Sequence, residues 1–110
     1  MTTTIDFNNL STGTVVDNEY QAQGVTVTAT GGSGQAMIFD TANPTGFDWD
    51  LHTNNLGKAL IISEDGHSHD PDDNASGGTF HFAFDNATSV ATTTANKSSA
   101  STLKAHTAWT

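Results

Sequence analysis

Cysteine and arginine are both absent from this sequence, lysine occurs only three times against twelve acidic residues, and the formal charge is −9. Without cysteine there is neither a disulfide framework nor a thiolate metal site, and sulfur chemistry leaves the redox compartment open. A strongly negative chain lacks the electrostatic attraction on which nucleic-acid and anionic-membrane binding depend, so both are excluded as expected partners. No apolar run approaches the ~20 residues that a membrane-spanning helix needs, which argues against membrane insertion. Met1-Thr2-Thr3-Thr4 has none of the basic and hydrophobic character of a secretory signal, so an exported protein would carry its signal outside these residues.

Catalytic signatures are missing as well. There is no Gly-x-Ser-x-Gly elbow, no glycine-rich phosphate loop with its lysine, and no His-Glu-x-x-His pair. Carboxylate pairs such as Glu64 with Asp85 are available, but in so acidic a chain their presence alone does not signal glycoside hydrolysis. The sequence therefore reads as a non-enzyme.

What is abundant is Thr, Ser, Asn and Gly, with an apolar fraction of 35% and a charged fraction of only 14%. Short strands joined by many turns fit that mixture, because branched and aromatic side chains suit a pleated, half-buried surface. Alternation is clearest at Gly24–Thr30, where the valines fall on one face and the threonines on the other. Ala36-Met37-Ile38-Phe39 and Ala59-Leu60-Ile61-Ile62 are nearly continuous apolar runs of strand length, as expected for buried strands. Thr79–Asp85 sets Phe80, Phe82 and Phe84 on one face, and Thr3–Phe7 reads as an outer strand. The pattern predicts one all-β domain, an antiparallel, jelly-roll-like β-sandwich with long acidic loops, over residues 1–90. Residues 91–110 are rich in Thr, Ser and Ala and are expected to form an edge strand or an extended C-terminal arm.

Two loops carry the chemistry, Asp40–Asp50 and Glu64–Asn74. Calcium takes six to eight oxygens, and Asp or Asn residues on a bent backbone can aim several at one point. Asp48 and Asp50 in the first loop have such spacing, as do Asp70, Asp72, Asp73 and Asn74 in the second, and Glu64 and Asp65 add further carboxylates. Five carboxylates fall within Glu64–Asp73 with no lysine or arginine among them to offset their mutual repulsion. The same residues are also ordinary turn formers, so solvated turns are the competing reading. His67 and His69 form the one histidine pair close enough in sequence to share zinc, copper or nickel, with surface histidines as the alternative. Trp49 and Phe47 flank Asp48 and are either sugar-stacking contacts beside the cation or core residues closing one end of the sandwich. Asn9, Asn74, Asn86 and Asn96 each begin an Asn-x-Ser/Thr triplet, a spacing that polar chains produce often.

Three stretches together, Ala36–Gly46, Leu60–Gly66 and Asp70–Phe80, resemble a domain of exported bacterial proteins, notably those with PEP-CTERM-type sorting signals and some of cyanobacterial and marine origin. Ile5–Leu10 and Glu19–Val25 fit the resemblance too, which covers residues 5–90. It implies a secreted or cell-surface β-sandwich, calcium-binding and adhesive or sugar-binding, with a glycan or cell-surface polymer as partner and no catalytic residues. The chain departs from that pattern at Leu51-His52-Thr53, at His67 and His69, and after Val90, where similar sequences continue with apolar strands. That last departure motivates a second reading, a self-assembling subunit of a filament, surface layer or virion. Its homo-oligomer would form when residues 91–110 complete the sheet of a neighbouring copy.

Overall fold

The structure is a computed structural model and describes residues 3–85, 90–94 and 102–109. It is all-β, with every strand pair antiparallel. The strands are β1 (Thr3–Ile5), β2 (Val25–Thr30), β3 (Gln35–Asp40), β4 (Lys58–Ser63), β5 (Thr79–Phe84), β6 (Val90–Thr94) and β7 (Thr102–Trp109). The larger sheet runs β1-β7-β4-β3, with β6 also paired to β7, and the smaller one is β2-β5. No helix among the described residues is long and apolar enough to cross a membrane.

Burial explains why the strands differ in sequence texture. β2 and β5 are buried on one side only: Val25 and Val27 point into the core with Phe80, Phe82 and Phe84 against them, while Thr28, Thr30, Thr79, His81 and Ala83 face outward. This is the expected result of alternation on a half-covered sheet. β3 and β4 are covered on both faces. Ala36, Ile38 and Leu60 join Val25, Val27, Ile5, Phe7, Val16 and Tyr20 in the first core cluster, between the two sheets. Met37, Phe39 and Ile61 form a second cluster with Leu51, and Val15 packs against it. Strands buried on both faces need no polar side chains, hence the continuous apolar runs.

The segment just before β2 closes the outer edge of β3. The amides of Gly13 and Val16 donate to the carbonyls of Ile38 and Ala36, both at 2.8 Å, and the Ile38 amide donates to Thr14 at 3.0 Å. One residue later the Val27 amide donates to the Asp17 carbonyl at 2.9 Å, so neighbouring residues of this segment hold both sheets. An edge paired in this way is not open to a second chain.

Residues 102–109, expected at an edge or in a free arm, instead run as β7 inside the larger sheet. Ile5 pairs with Thr107 on one side, and Leu60 with Leu103 where β7 meets β4. The glycosylation triplets at Asn86 and Asn96 lie outside the described residues.

Truncation at the two-sided strands separates the core faces from the surface. Ile38→Ala is expected to cost about 2–5 kcal/mol in denaturant unfolding, whereas Thr28→Ala on the outer face of β2 changes stability by about 0.5 kcal/mol or less.

Candidate functional site

The second face of β3-β4 has no strand over it among the described residues. Its cover is the loop from residue 41 to 57, which leaves the end of β3 and returns at the start of β4. Leu51, 2% exposed, is the apolar anchor of that cover and sits in the second cluster on the one-turn 3-10 segment Trp49–Leu51. The base of the loop is closed by Thr41, which is fully buried. Its amide donates to the Gly57 carbonyl at 3.1 Å, its carbonyl accepts from the Thr53 amide at 2.8 Å, and its hydroxyl bonds with the Gly57 carbonyl and the Thr53 hydroxyl. Buried polar groups are tolerated here because they are matched.

The second loop, residues 64–78, begins at the other end of β4 and doubles back on it. The Glu64 amide donates to the Asp72 carbonyl and the Asn74 amide to the Ile62 carbonyl, both at 2.8 Å, and Ser63 forms an antiparallel bridge with Asp73. This pairing is what buries Asp73 to 3% exposure.

The two loops then meet. The Thr45 hydroxyl donates to the Pro71 carbonyl at 2.7 Å, the Gly46 amide donates to Asp70 Oδ1 at 3.0 Å, and the Asp73 amide donates to Asp48 Oδ2 at 2.6 Å. Gly46 adopts φ 62°, and a Cβ there would lie 2.7–2.8 Å from Cβ, Cα and Cγ of Asp72, so both backbone conformation and space require glycine. The junction gathers Asp48, Asp72 and Asp73. Burial pushes the Asp48 carboxyl up to about 6, with the Asp72 charge and side-chain hydrogen bond and the Asp73 charge adding to it, against the lowering effect of the Asp73 amide.

The other sequence candidates are distributed differently. Asp70 spends one oxygen on Gly46, and Asp65 accepts the His67 amide at 3.1 Å in a local turn. Asn74 donates its side-chain amide to the Gly77 carbonyl at 2.7 Å. Glu64, Asp50, His67 and His69 are exposed. Asp40 is a turn residue: hydrogen bonds from the Asn43 side chain and the Ala42 amide, with Lys58 nearby, hold its carboxyl below the usual value despite partial burial. Among the described residues no group of three or more His, Asp or Glu is arranged so that it could hold a metal ion as it stands.

Phe47 and Trp49, for which both core and surface positions were open, stand outward at 92% and 68% exposure. Asp48 lies between them in the chain and turns into the junction. Phe47 has φ 60°, a left-handed conformation that costs a bulky residue about 1–2 kcal/mol. The sequence marks this arrangement only at Gly46, which the close approach of Asp72 requires, while Thr41 and Leu51, which fix the loop, are distinguished in the sequence only as β-branched and apolar residues. No family model, curated protein or solved structure matches the chain.

Two measurements check this geometry. Asp48 has its folded-state value raised above the unfolded one, so the folded state binds more protons and stability falls as pH rises from about 4 to about 6, then levels. In chelator, a series of unfolding midpoints against pH should show that fall, and Asp48→Asn should flatten it and raise the midpoint at pH 7. Gly46→Ala should lower the midpoint and speed hydrogen exchange at the Asp73 amide, because the two loops can no longer close on each other.

Proposed function

We propose that the chain is a non-catalytic, calcium-dependent recognition domain of a secreted or cell-surface protein, binding a glycan through Phe47 and Trp49. In this reading the larger and smaller sheets are the layers of a jelly-roll-like β-sandwich, and the site sits on the loops that cover one of its outer faces. The observation that carries it is the pairing of two features in three consecutive residues. The exposed aromatics are those on either side of Asp48, and the Asp48 carboxylate accepts the Asp73 amide at 2.6 Å, near enough to Asp72 and Asp73 for their charges to raise it.

Each feature is unfavourable by itself. Large aromatic side chains usually gain about 1.5–3 kcal/mol from burial, and these two forgo most of it. Carboxylates brought together in a partly buried site repel one another, and neither loop contains a lysine or arginine. A hard cation drawn into the junction by Asp48, Asp72 and Asp73 would offset the repulsion, completed by side chains of Asp70 or Asp50 and by backbone oxygens after a small movement of the loops. A sugar ring stacked on Phe47 or Trp49 would cover the exposed faces. Self-assembly through residues 91–110 finds less support, since residues 102–109 pair with β1 and β4 of their own chain.

Thermal melts in chelator, then with calcium, magnesium, zinc or nickel, test the reading. Calcium is expected to raise the midpoint, with stabilisation reaching about 2.7 kcal/mol at one hundred times its dissociation constant, and Asp72→Asn should remove the response. A rise with zinc or nickel alone would transfer the ion to His67 and His69. If no ion raises the midpoint, the calcium assignment fails.

A further inference from the structure

β5, Thr79–Phe84, carries none of the devices that usually protect the edge of a sheet. It has no lysine, proline or acidic residue, and its six residues pair with β2 in unbroken register, so no bulge turns the edge away. Among the described residues β2 is its strand partner and none lies on its other side. Neighbouring edges are closed by the chain itself. Residues 13–16 bond to β3, and on β2 the amides of Val25 and Val27 donate to the carbonyls of Tyr20 and Asp17 at 3.3 and 2.9 Å.

Those two bonds also fix which way β5 faces. Odd-numbered residues of β2 turn their amides away from β5, so Thr26 and Thr28 bond to Ala83 and His81 opposite them. The amides and carbonyls of Phe80 and Phe82 therefore point to the outer edge. Their side chains are half-buried against the core, with ring centroids 6.5 Å apart. A further strand laid along this edge would pair the main-chain groups and cover the exposed parts of the rings together.

Charge and residue order identify that strand. The chain carries a formal charge of −9, so two copies repel over most of their surface. None of the twelve acidic residues falls in β2 or β5, and the outer face there presents Thr28, Thr30, Thr79, His81 and Ala83. A second copy approaching this edge meets no carboxylate within the strands. Antiparallel pairing about a two-fold axis at His81 sets Phe80 opposite Phe82 of the second copy, and the reverse, aromatic on aromatic over the inner face. Asp85 then falls opposite Gly77 instead of another acid.

We propose that this chain forms a symmetric dimer through β5, in which the small sheets of two copies join as one antiparallel sheet of order β2-β5-β5-β2. The Phe80 and Phe82 amides of each copy donate to the carbonyls of Phe82 and Phe80 in the other. His81 lies opposite His81 of the second copy on the outer face, in a pair without main-chain hydrogen bonds, the closer of the two cross-strand spacings. The inference does not rest on the calcium and glycan reading, whose loops flank β4 of the larger sheet.

Sedimentation of the full chain in chelator, over about a hundredfold range of concentration, tests the dimer, and cross-linking tests its register. The chain has no cysteine, so one introduced thiol reports one position. A reversible dimer is expected to accumulate with concentration, and His81→Lys, which sets two lysines against each other, should raise its dissociation constant about tenfold or more. His81→Cys should give a disulfide-linked dimer under mild oxidation, because facing residues of this kind lie within disulfide reach. Ala83→Cys, which faces Thr79 of the second copy, should not. Both positions are exposed, and unchanged circular dichroism of the reduced variants will confirm that they remain folded. Hydrogen exchange at the Phe80 and Phe82 amides should slow as the dimer forms. A monomer at every concentration overturns the proposal, as does slow exchange of those amides in the monomer, which would show the edge covered by its own chain. A dimer indifferent to His81→Lys, or linked as readily through Ala83→Cys, overturns the β5 interface.

Discussion

Two-sided burial of β3 and β4 is the constraint from which the remaining architecture follows. One face of this pair, through Ala36, Ile38 and Leu60, meets the smaller sheet in the ordinary way. The other presents Met37, Phe39 and Ile61, and leaving those side chains in water would forfeit about 1.5–3 kcal/mol each. No second strand layer lies over that face among the described residues, so loops cover it. Loops make expensive covers, because their backbone polar groups must also be matched. Thr41 is the local solution: a single buried residue whose amide, carbonyl and hydroxyl are all engaged closes the base of the loop that brings in Leu51.

A loop held down at Thr41 and Leu51 has little choice about where the residues between them go. Thr45 and Gly46 reach Pro71 and Asp70, and Asp48 reaches the Asp73 amide, so two acidic stretches 24 to 26 residues apart in sequence become neighbours. The arrangement is favourable in its hydrogen bonds and unfavourable in its charges. Leu51 faces in and Trp49 faces out, since residues two apart on a tight turn cannot both meet the same surface. The display of Trp49 is thus a by-product of burying Leu51. Phe47 stands outward at the second corner of the turn Thr45–Asp48, which the Asp48 amide closes on the Thr45 carbonyl at 3.0 Å with Gly46 and Phe47 both left-handed.

Much of the fold was legible in the sequence where burial imposes a pattern. Alternation located β2 and β5, and the continuous apolar runs located β3 and β4 within a residue or two. The end of the chain was harder. Leu103 and Trp109 are too widely spaced among small and polar residues for their alternation to outweigh the Thr, Ser and Ala around them, and β7 owes its interior place to partners far away in sequence. In the candidate site, acidic composition marked the two loops but could not tell Asp48 and Asp73, which meet, from Asp40 and Asp65, which serve local turns. That distinction is made by contacts between loops, for which Gly46 is the one sequence mark. The orientation of Phe47 and Trp49 stayed open for the same reason.

The central claim is that the two acidic loops are joined with Asp48 pressed against Asp72, and a double-substitution cycle tests it most directly. Denaturant unfolding at pH 7 in chelator would compare the natural chain with Asp48→Asn, Asp72→Asn and both together. Charges that repel across the junction predict that each single change stabilises the protein and that the pair together gives less than the sum, by about 0.5 kcal/mol or more. Additive effects, or no stabilisation by either change, would contradict the junction and with it the site built on it.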